Sequence, residues 1–212
     1  LDASILTPAG ATDHMPSNAR AAYDRDGFYI HDRPLLDMDL VCRASAGMDA
    51  LRNGEYETGV PPQPSPWNPG DPDSQFCKIE LPQISNRSIL EAVSHSEIGR
   101  VAAEITGADM VQVWWVQLLG KPATEPGQDA GTRVGWHQDR QYWGSWEPDA
   151  ELLTAWVAIS DVTEDAGPMR FVDGSHRWGL LGRGDFYAQD NDALKEQIGV
   201  PDGETWSETN AV

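Results

Sequence analysis

The chain has 212 residues, of which 40% are hydrophobic and 23% charged, a composition typical of one globular domain with a sizeable core. Its net charge of -19, with only 15 lysines and arginines, argues against nucleic-acid binding, because phosphate contacts depend on clustered basic side chains. No run approaches the roughly 18 apolar residues of a membrane helix, and the opening residues do not resemble a signal peptide, so we expect a soluble cytoplasmic protein that does not bind membranes.

The first predicted elements are helical. A short helix is capped near Ser17 and ends at Gly27, and the stretch GFYIH that follows is typical of a strand. A longer amphipathic helix begins after Asp37, a suitable N-cap, and ends at Gly54. Its apolar residues recur at helical spacing: Leu40, Val41, Ala44, Met48 and Leu51.

A proline-rich segment, VPPQPSPWNPGDPDS, separates this helix from the next one. Its six prolines between Pro61 and Pro72 exclude regular structure and predict a surface connector, with an active-site lid as the alternative. Helical spacing resumes in NRSILEAVSHSEIGRVAAEITG. We predict one helix here that ends at Gly107, with His95 at its surface or boundary.

The rest of the chain has the character of β structure. Short β-branched and aromatic runs, MVQVWWVQLL, VGWHQD, LLTAWVAISDV and MRFVDGSH, are separated by turn residues. Helices followed by strands favour an α+β fold with a mainly β core, either a barrel or a sandwich. We predict a single domain over residues 1–212, with a helical front part at about 17–107 and strands at about 110–212. Cys42 and Cys77 match no disulfide or zinc pattern and are expected to be buried free thiols.

The stretch VGWHQDRQYW places His137 and Asp139 two residues apart. On a strand, side chains at this spacing project from the same face, while Gln138 points away. Imidazole and carboxylate together suit a divalent metal, and two histidines with one carboxylate are the ligands of non-haem Fe(II) oxygenases. The spacing alone is weakly specific, since an exposed pair or a salt bridge at a strand end produces it too.

With these residues in place, the sequence resembles the phytanoyl-CoA dioxygenase family of Fe(II)- and 2-oxoglutarate-dependent oxygenases. The similarity runs over roughly residues 20–180 through YDRDGFYI, LGKPA, GWHQDRQYW and LTAWVAISDVTEDAGPMRFVDGSHRWG. The resemblance implies a double-stranded β-helix (jelly roll) with the N-terminal helices packed outside it. It also implies that His137 and Asp139 are two of three iron ligands. Related halogenases have a small residue in place of Asp139, so the acid favours hydroxylation.

The same resemblance implies a second histidine ligand and, further along, an arginine that pairs with the distal carboxylate of 2-oxoglutarate. We expect both to lie beyond Val212, in C-terminal strands that this chain lacks. His176 is the alternative third ligand, although its place in DGSHRWG matches a turn histidine of the family that does not bind metal. Arg177 and Arg183 follow it, but neither matches the position of the family's arginine. The other histidines are expected to be structural or exposed: His14, His31 and His95.

Other candidate site residues have plausible structural roles as well. Trp156 matches a position where the family often has an aromatic residue near 2-oxoglutarate, but core packing explains it equally. Gln117 could face the same pocket or point outward from an alternating strand. Six aromatic residues around the motif could line a substrate cavity or form core: Trp114, Trp115, Trp136, Tyr142, Trp143 and Trp146.

The leading hypothesis is therefore an oxygenase that binds Fe(II), hydroxylates a small molecule with O₂ and converts 2-oxoglutarate to succinate and CO₂. The alternative is a non-catalytic jelly-roll remnant that binds a small molecule or a metal. A zinc hydrolase is a more distant alternative, because catalytic zinc usually has three protein ligands. The sequence pattern identifies neither the substrate nor the oligomeric state.

Overall fold

The computed structural model describes residues 18–124, 131–147 and 149–212. Its helices are α1 Asn18–Asp26, α2 Met38–Arg52, α3 Arg87–Val93, α4 Ser96–Thr106 and α5 Asn191–Ile198. Its strands are β1 Cys77–Glu80, β2 Gln117–Gly120, β3 Arg170–Val172 and β4 Glu208–Asn210. Among the described helices, none combines the length and the apolar character that crossing a membrane would require.

The first two helices begin and end close to where the sequence predicts. Asp37 caps α2, its carboxylate accepting the backbone N–H of Leu40 at 2.8 Å, and the helix ends at Arg52, shortly before Gly54. Gly27 follows α1 with a φ of 86°, a conformation that stops a helix and suits glycine. The cap expected near Ser17 lies outside the described residues.

The single helix predicted up to Gly107 is wrong at its centre. His95 has an extended backbone, and its ring accepts the backbone N–H of Glu97 at 3.3 Å. The Ser94 hydroxyl donates to the carbonyl of Leu90 at 2.6 Å, which satisfies an acceptor at the end of α3. Two local polar groups therefore divide the segment into α3 and α4, and His95 is a helix cap.

The four strands form two small antiparallel sheets, β1 with β2 and β3 with β4. In the first sheet Glu80 lies opposite Gln117. Side chains on β1 alternate, so that Cys77 and Ile79 are buried on one face while Lys78 and Glu80 project from the other. The sheet thus separates the core on one side from the polar side chains on the other.

Most of the predicted strand runs form no ladder in the part of the chain that the structure describes. The runs that become strands do so only in part, at β2 and β3. The stretch GFYIH, the residues around His137 and the segment 151–162 have no assigned strand, so those strand predictions are wrong as made. Too few consecutive backbone hydrogen bonds link these segments to a neighbour. The jelly roll stays a prediction.

The buried core lies mainly between the helices and the first sheet. Two clusters of buried residues form it: Leu51, Trp67, Cys77, Ile79, Ile89 and Leu118 in the first, and Leu36, Leu40, Ala44 and Ala92 in the second. Ile159 packs against both clusters and Val157 against the second. These two contacts attach the segment after the His137 motif to the helical front part.

The proline-rich segment is fixed to the core rather than free at the surface. Trp67 is 5% exposed, and its indole N–H donates to the carbonyl of Arg52 at 3.2 Å. The backbone N–H of Gln63 donates to the carbonyl of Glu80 at 3.1 Å. A side chain anchored in the core favours the connector interpretation over the lid.

Both cysteines are free, as predicted, but only one is buried. Cys77 lies in the first cluster, where burial raises the pKa of its thiol to about 11. Cys42 lies on an exposed face of α2, so the expectation of burial is wrong for that residue.

Candidate metal centre

His137 and Asp139 are held by two short backbone elements. The segment before His137 bonds to residues 184–186, with the N–H of Gly135 donating to the carbonyl of Phe186 at 3.0 Å and the N–H of Asp185 donating to the carbonyl of Trp136 at 3.0 Å. Asp139 starts a short 3₁₀ helix, Asp139–Tyr142. The pair therefore lies at the junction of an extended segment and a turn, and its convergence does not come from a regular strand.

Two glycines allow the backbones to come this close. A Cβ atom at Gly184 would lie 2.5 Å from the Cα of His137 and 2.7 Å from the carbonyl oxygen of Trp136. A Cβ atom at Gly135 would collide with the carbonyl oxygen of Asp185. Any side chain at either position would push the two segments apart, so these glycines set the position of the His137 backbone.

The hydrogen bonds of His137 determine which ring nitrogen carries the proton. Nδ1 lies 2.7 Å from the carbonyl oxygen of Gly135, and a carbonyl can only accept, so Nδ1 carries a hydrogen. Nε2 lies 3.2 Å from Oδ1 of Asp139. In the neutral imidazole this places the Nε2 lone pair against a carboxylate oxygen, so the two atoms need a cation between them, either a proton or a metal ion.

The titration behaviour of the pair agrees with this geometry. Burial alone would lower the pKa of His137, but the hydrogen bonds to Asp139 and Gly135 and the charge of Asp139 outweigh it and raise the pKa above the ordinary 6.5. Burial would raise the pKa of Asp139, but hydrogen bonds from His137 and Thr154 lower it below the ordinary 3.8. In the absence of metal, the ion pair of imidazolium and carboxylate therefore persists to a higher pH than an isolated histidine would allow.

The donor atoms fit a small divalent cation. Two ligand atoms at right angles on one octahedral ion, each ~2.1 Å from it, lie ~3.0 Å apart, and the Nε2–Oδ1 distance is 3.2 Å. The second carboxylate oxygen of Asp139 accepts a hydrogen bond from the Thr154 hydroxyl, which orients the carboxylate. Among the described residues, no third histidine, cysteine or acid completes a group of three metal ligands with this pair.

Lys78 is a site residue that the sequence prediction missed. Its ammonium lies 4.7 Å from the centre of the Phe186 ring, and that ring lies 5.2 Å from the His137 ring. The Lys78 side chain is 11% exposed, and its charge acts to lower the pKa of His137. Glu80 accepts from this ammonium at 2.9 Å. The alternation of apolar and charged residues in the run CKIE is a signal typical of a strand, but nothing in the sequence pairs such a strand with the motif.

Gln117 and Trp156, the predicted co-substrate residues, lie on elements that border the pair. The amide of Gln117 donates to Glu80 at 3.2 Å, on the face of the sheet that carries Lys78. Trp156 is 40% exposed. It follows Thr154, whose hydroxyl contacts Asp139, by two residues. The next residue, Val157, packs against the core.

The structure places the alternative third ligand elsewhere. Nε2 of His176 lies 3.2 Å from the carbonyl oxygen of Asp24, at the end of α1. Arg177 donates to the carbonyl of Arg25 at 2.5 Å, and Arg183 donates to a carbonyl at the end of α5. These side chains bind backbone carbonyls at helix ends. His95 caps α4, His31 contacts its neighbouring loop, and His14 lies outside the described residues.

A comparison with family profiles matches most of the chain. The profile of the family described as phytanoyl-CoA dioxygenase (PhyH) matches residues 23–211. The search of curated proteins gave no match, and neither did the search of solved structures. The matched range contains His137, Asp139, Lys78 and both sheets, so the match and the geometry concern the same part of the molecule.

Proposed function

The chain belongs to the phytanoyl-CoA dioxygenase family, and on that premise we propose that it is an Fe(II)- and 2-oxoglutarate-dependent oxygenase that hydroxylates a small molecule. Members of this family are generally dioxygenases that use Fe(II) and 2-oxoglutarate. The observation that carries the proposal is the pair of acceptor atoms, Nε2 of His137 and Oδ1 of Asp139, facing each other at 3.2 Å. We propose that a jelly roll holds them.

The proposed roles follow from the contacts of each side chain. His137 and Asp139 hold the iron, the carbonyl of Gly135 keeps the proton on Nδ1 so that Nε2 is free to bind, and Thr154 orients the carboxylate. Fe(II), when bound, would supply open coordination positions for 2-oxoglutarate and O₂, whose reaction gives succinate and CO₂ and leaves one oxygen atom for the hydroxyl group of the substrate. The ring of Phe186 lies against the His137 ring and shields it from water.

Lys78 is the proposed electrostatic partner of 2-oxoglutarate. A largely buried ammonium on the His137 side of the sheet is suited to a carboxylate of the co-substrate, and poor solvation strengthens that attraction. Glu80 and the ring of Phe186 hold the ammonium in place before the co-substrate binds. We propose that Gln117 and Trp156 line the same pocket.

Anaerobic titration with Fe(II) and 2-oxoglutarate tests the proposal. The visible charge-transfer absorption of the chelated complex should appear in the wild-type protein, and release of succinate should follow when O₂ is admitted. His137→Ala and Asp139→Ala should lose both. Lys78→Met should keep iron binding and need a higher 2-oxoglutarate concentration. His176→Ala is the matched control, because this histidine contacts Asp24 rather than the pair.

The possible outcomes are distinct. Unchanged succinate release in His137→Ala would sink the assignment, and loss of the absorption in His176→Ala would move the third ligand to that residue. Stoichiometric metal binding without the absorption or turnover would favour the non-catalytic metal-binding alternative. That alternative draws support from the two metal ligands, rather than three, among the described residues.

A further inference from the structure

Four tryptophans form an exposed cluster beside the candidate metal centre. Trp114 is at its centre, with the ring centroids of Trp146, Trp115 and Trp143 at 5.3, 5.8 and 6.4 Å. The rings of Trp143 and Trp146 stand nearly edge-on to Trp114, at interplanar angles of 84° and 69°. Three of the four residues are 39–44% exposed, which leaves aromatic surface open to solvent in a group that would ordinarily be buried.

Four large aromatic rings outside the cluster are each contacted by one of the chain's own cations. Arg52 lies over Trp67, Lys78 over Phe186, Arg170 over Trp136 and Lys195 over Trp206, at distances of 4.7–5.0 Å from the ring centres. Within the described residues, no lysine or arginine makes this contact with a ring of the tryptophan cluster. In the described part of the chain, the rings of the tryptophan cluster thus lack an internal cation.

The cluster is linked to the surroundings of the metal centre through Trp143 and Trp115. Trp143 follows the 3₁₀ helix that begins at Asp139. The indole N–H of Trp115 donates to one oxygen of Glu80 at 2.7 Å, and the other oxygen binds the Lys78 ammonium. A molecule resting on the indole faces would therefore lie beside the residues that hold the proposed iron and co-substrate.

The acids that follow the cluster in the chain, together with the net charge of the molecule, favour a positive ligand. Three acids with exposed side chains follow Trp146 closely in the chain: Glu147, Asp149 and Glu151. The whole molecule carries a net charge of -19, which attracts cations to its surface. Tryptophan gives the strongest cation–π contact of the aromatic side chains, and groups of aromatic rings are a common way of binding alkylated ammonium ions.

We propose that the tryptophan cluster binds an alkylated ammonium group and that the substrate carries this group. The cation over the indole faces would hold the substrate while the carbon to be oxidised lies towards His137 and Asp139. The role as substrate anchor rests on the proposed function, whereas binding of the cation to the rings does not. Neither iron nor turnover is therefore needed to test it.

The test compares choline with 3,3-dimethylbutan-1-ol, which has the same shape but no charge. Binding to the wild-type protein is measured by tryptophan fluorescence and by calorimetry, with sodium chloride as the ionic-strength control. Choline should bind saturably and roughly tenfold more tightly than the neutral analogue, as expected for a cation over several indole faces. Trp114→Leu and Trp146→Leu should remove this preference, and Trp206→Leu, outside the cluster, should keep it.

Each result has a definite meaning. Equal binding of the two probes would show a site for neutral apolar groups and would overturn the inference, as would the absence of saturable choline binding. A choline preference that survives Trp146→Leu, a change at an exposed ring, would place the site elsewhere and overturn it too. Iron-dependent turnover without choline binding would refute the cation site alone. Choline binding without turnover would leave the cation site standing and refute its role in an oxygenase.

Discussion

The front part of the molecule and the part that follows β2 differ in how they are held together. Most of the buried apolar side chains in the described residues lie at or before Leu118, and Val172, Leu194 and Ile198 are the exceptions. The candidate metal centre lies in the later part, where aromatic and β-branched side chains remain exposed. Packing thus stabilises the front part, whereas the later part has less core of its own and would gain more from a bound metal or ligand.

The largest expected effect is the loss of stability when a buried leucine is replaced by alanine, and this loss should differ between the two parts. Leu51→Ala removes a side chain that is 1% exposed in the first cluster, and we expect it to lower the free energy of unfolding by about 3–4 kcal/mol. Leu194→Ala, at 5% exposure on α5, should cost about 2 kcal/mol, because its thinner surroundings can relax into the cavity. Urea denaturation of both variants measures the difference. An equal or larger loss for Leu194→Ala would show that packing stabilises the later part as much as the front part.

Metal binding should act mainly on the later part. Cobalt(II), added at a hundred times its dissociation constant, should raise the free energy of unfolding by about 2.7 kcal/mol. His137→Ala should lose this gain, while Leu51→Ala should keep it on a lower baseline. Hydrogen exchange should show added protection around residues 134–143 and little change in α2. Uniform protection across both parts would show that metal binding stabilises the front part as much as the later part.

The pH dependence of metal affinity should follow the proton on His137. Its pKa lies above 6.5, so the stabilisation from its ion pair is complete below that value and is lost as the pH rises through the folded-state pKa. The pKa of Asp139 lies below 3.8, so its contribution is lost only when the pH falls through that lower value. A metal must displace the His137 proton, so affinity should rise roughly tenfold per pH unit and level off above that pKa. Calorimetry across neutral pH measures this, and a flat profile would remove His137 from the site.

The smallest expected effect concerns the helix caps. The carboxylate of Asp37 accepts from Leu40 on α2, and that of Asp190 accepts from Ala193 on α5. Asp37→Ala should lower the free energy of global unfolding by about 1 kcal/mol. Asp190→Ala should have a smaller global effect, because α5 can fray before the rest of the chain unfolds. Thermal denaturation with hydrogen exchange distinguishes the two effects, and equal global losses would argue for one cooperative unit.

Local chemistry was predictable from the sequence, and long-range pairing was not. Asp37 and Gly27 act through residues within four positions of themselves, and both predictions are confirmed. The convergence of His137 and Asp139 was predicted, although the structure achieves it at a turn instead of along a strand. Lys78 was missed because its proximity to His137 depends on contacts with Phe186, more than a hundred residues further along the chain. The strand predictions were wrong for the same reason, since a ladder needs a partner that β propensity does not specify.

The two glycines beside the metal centre have a consequence for protein engineering. Gly135 and Gly184 position the His137 backbone by contact between two main chains, without a side chain between them. Repacking the front core for thermal stability should therefore leave the metal ligands in place. Random mutagenesis, in contrast, should find these two small positions nearly as intolerant as the ligands themselves, so a library designed to change substrate preference should keep both glycines and vary the tryptophan cluster.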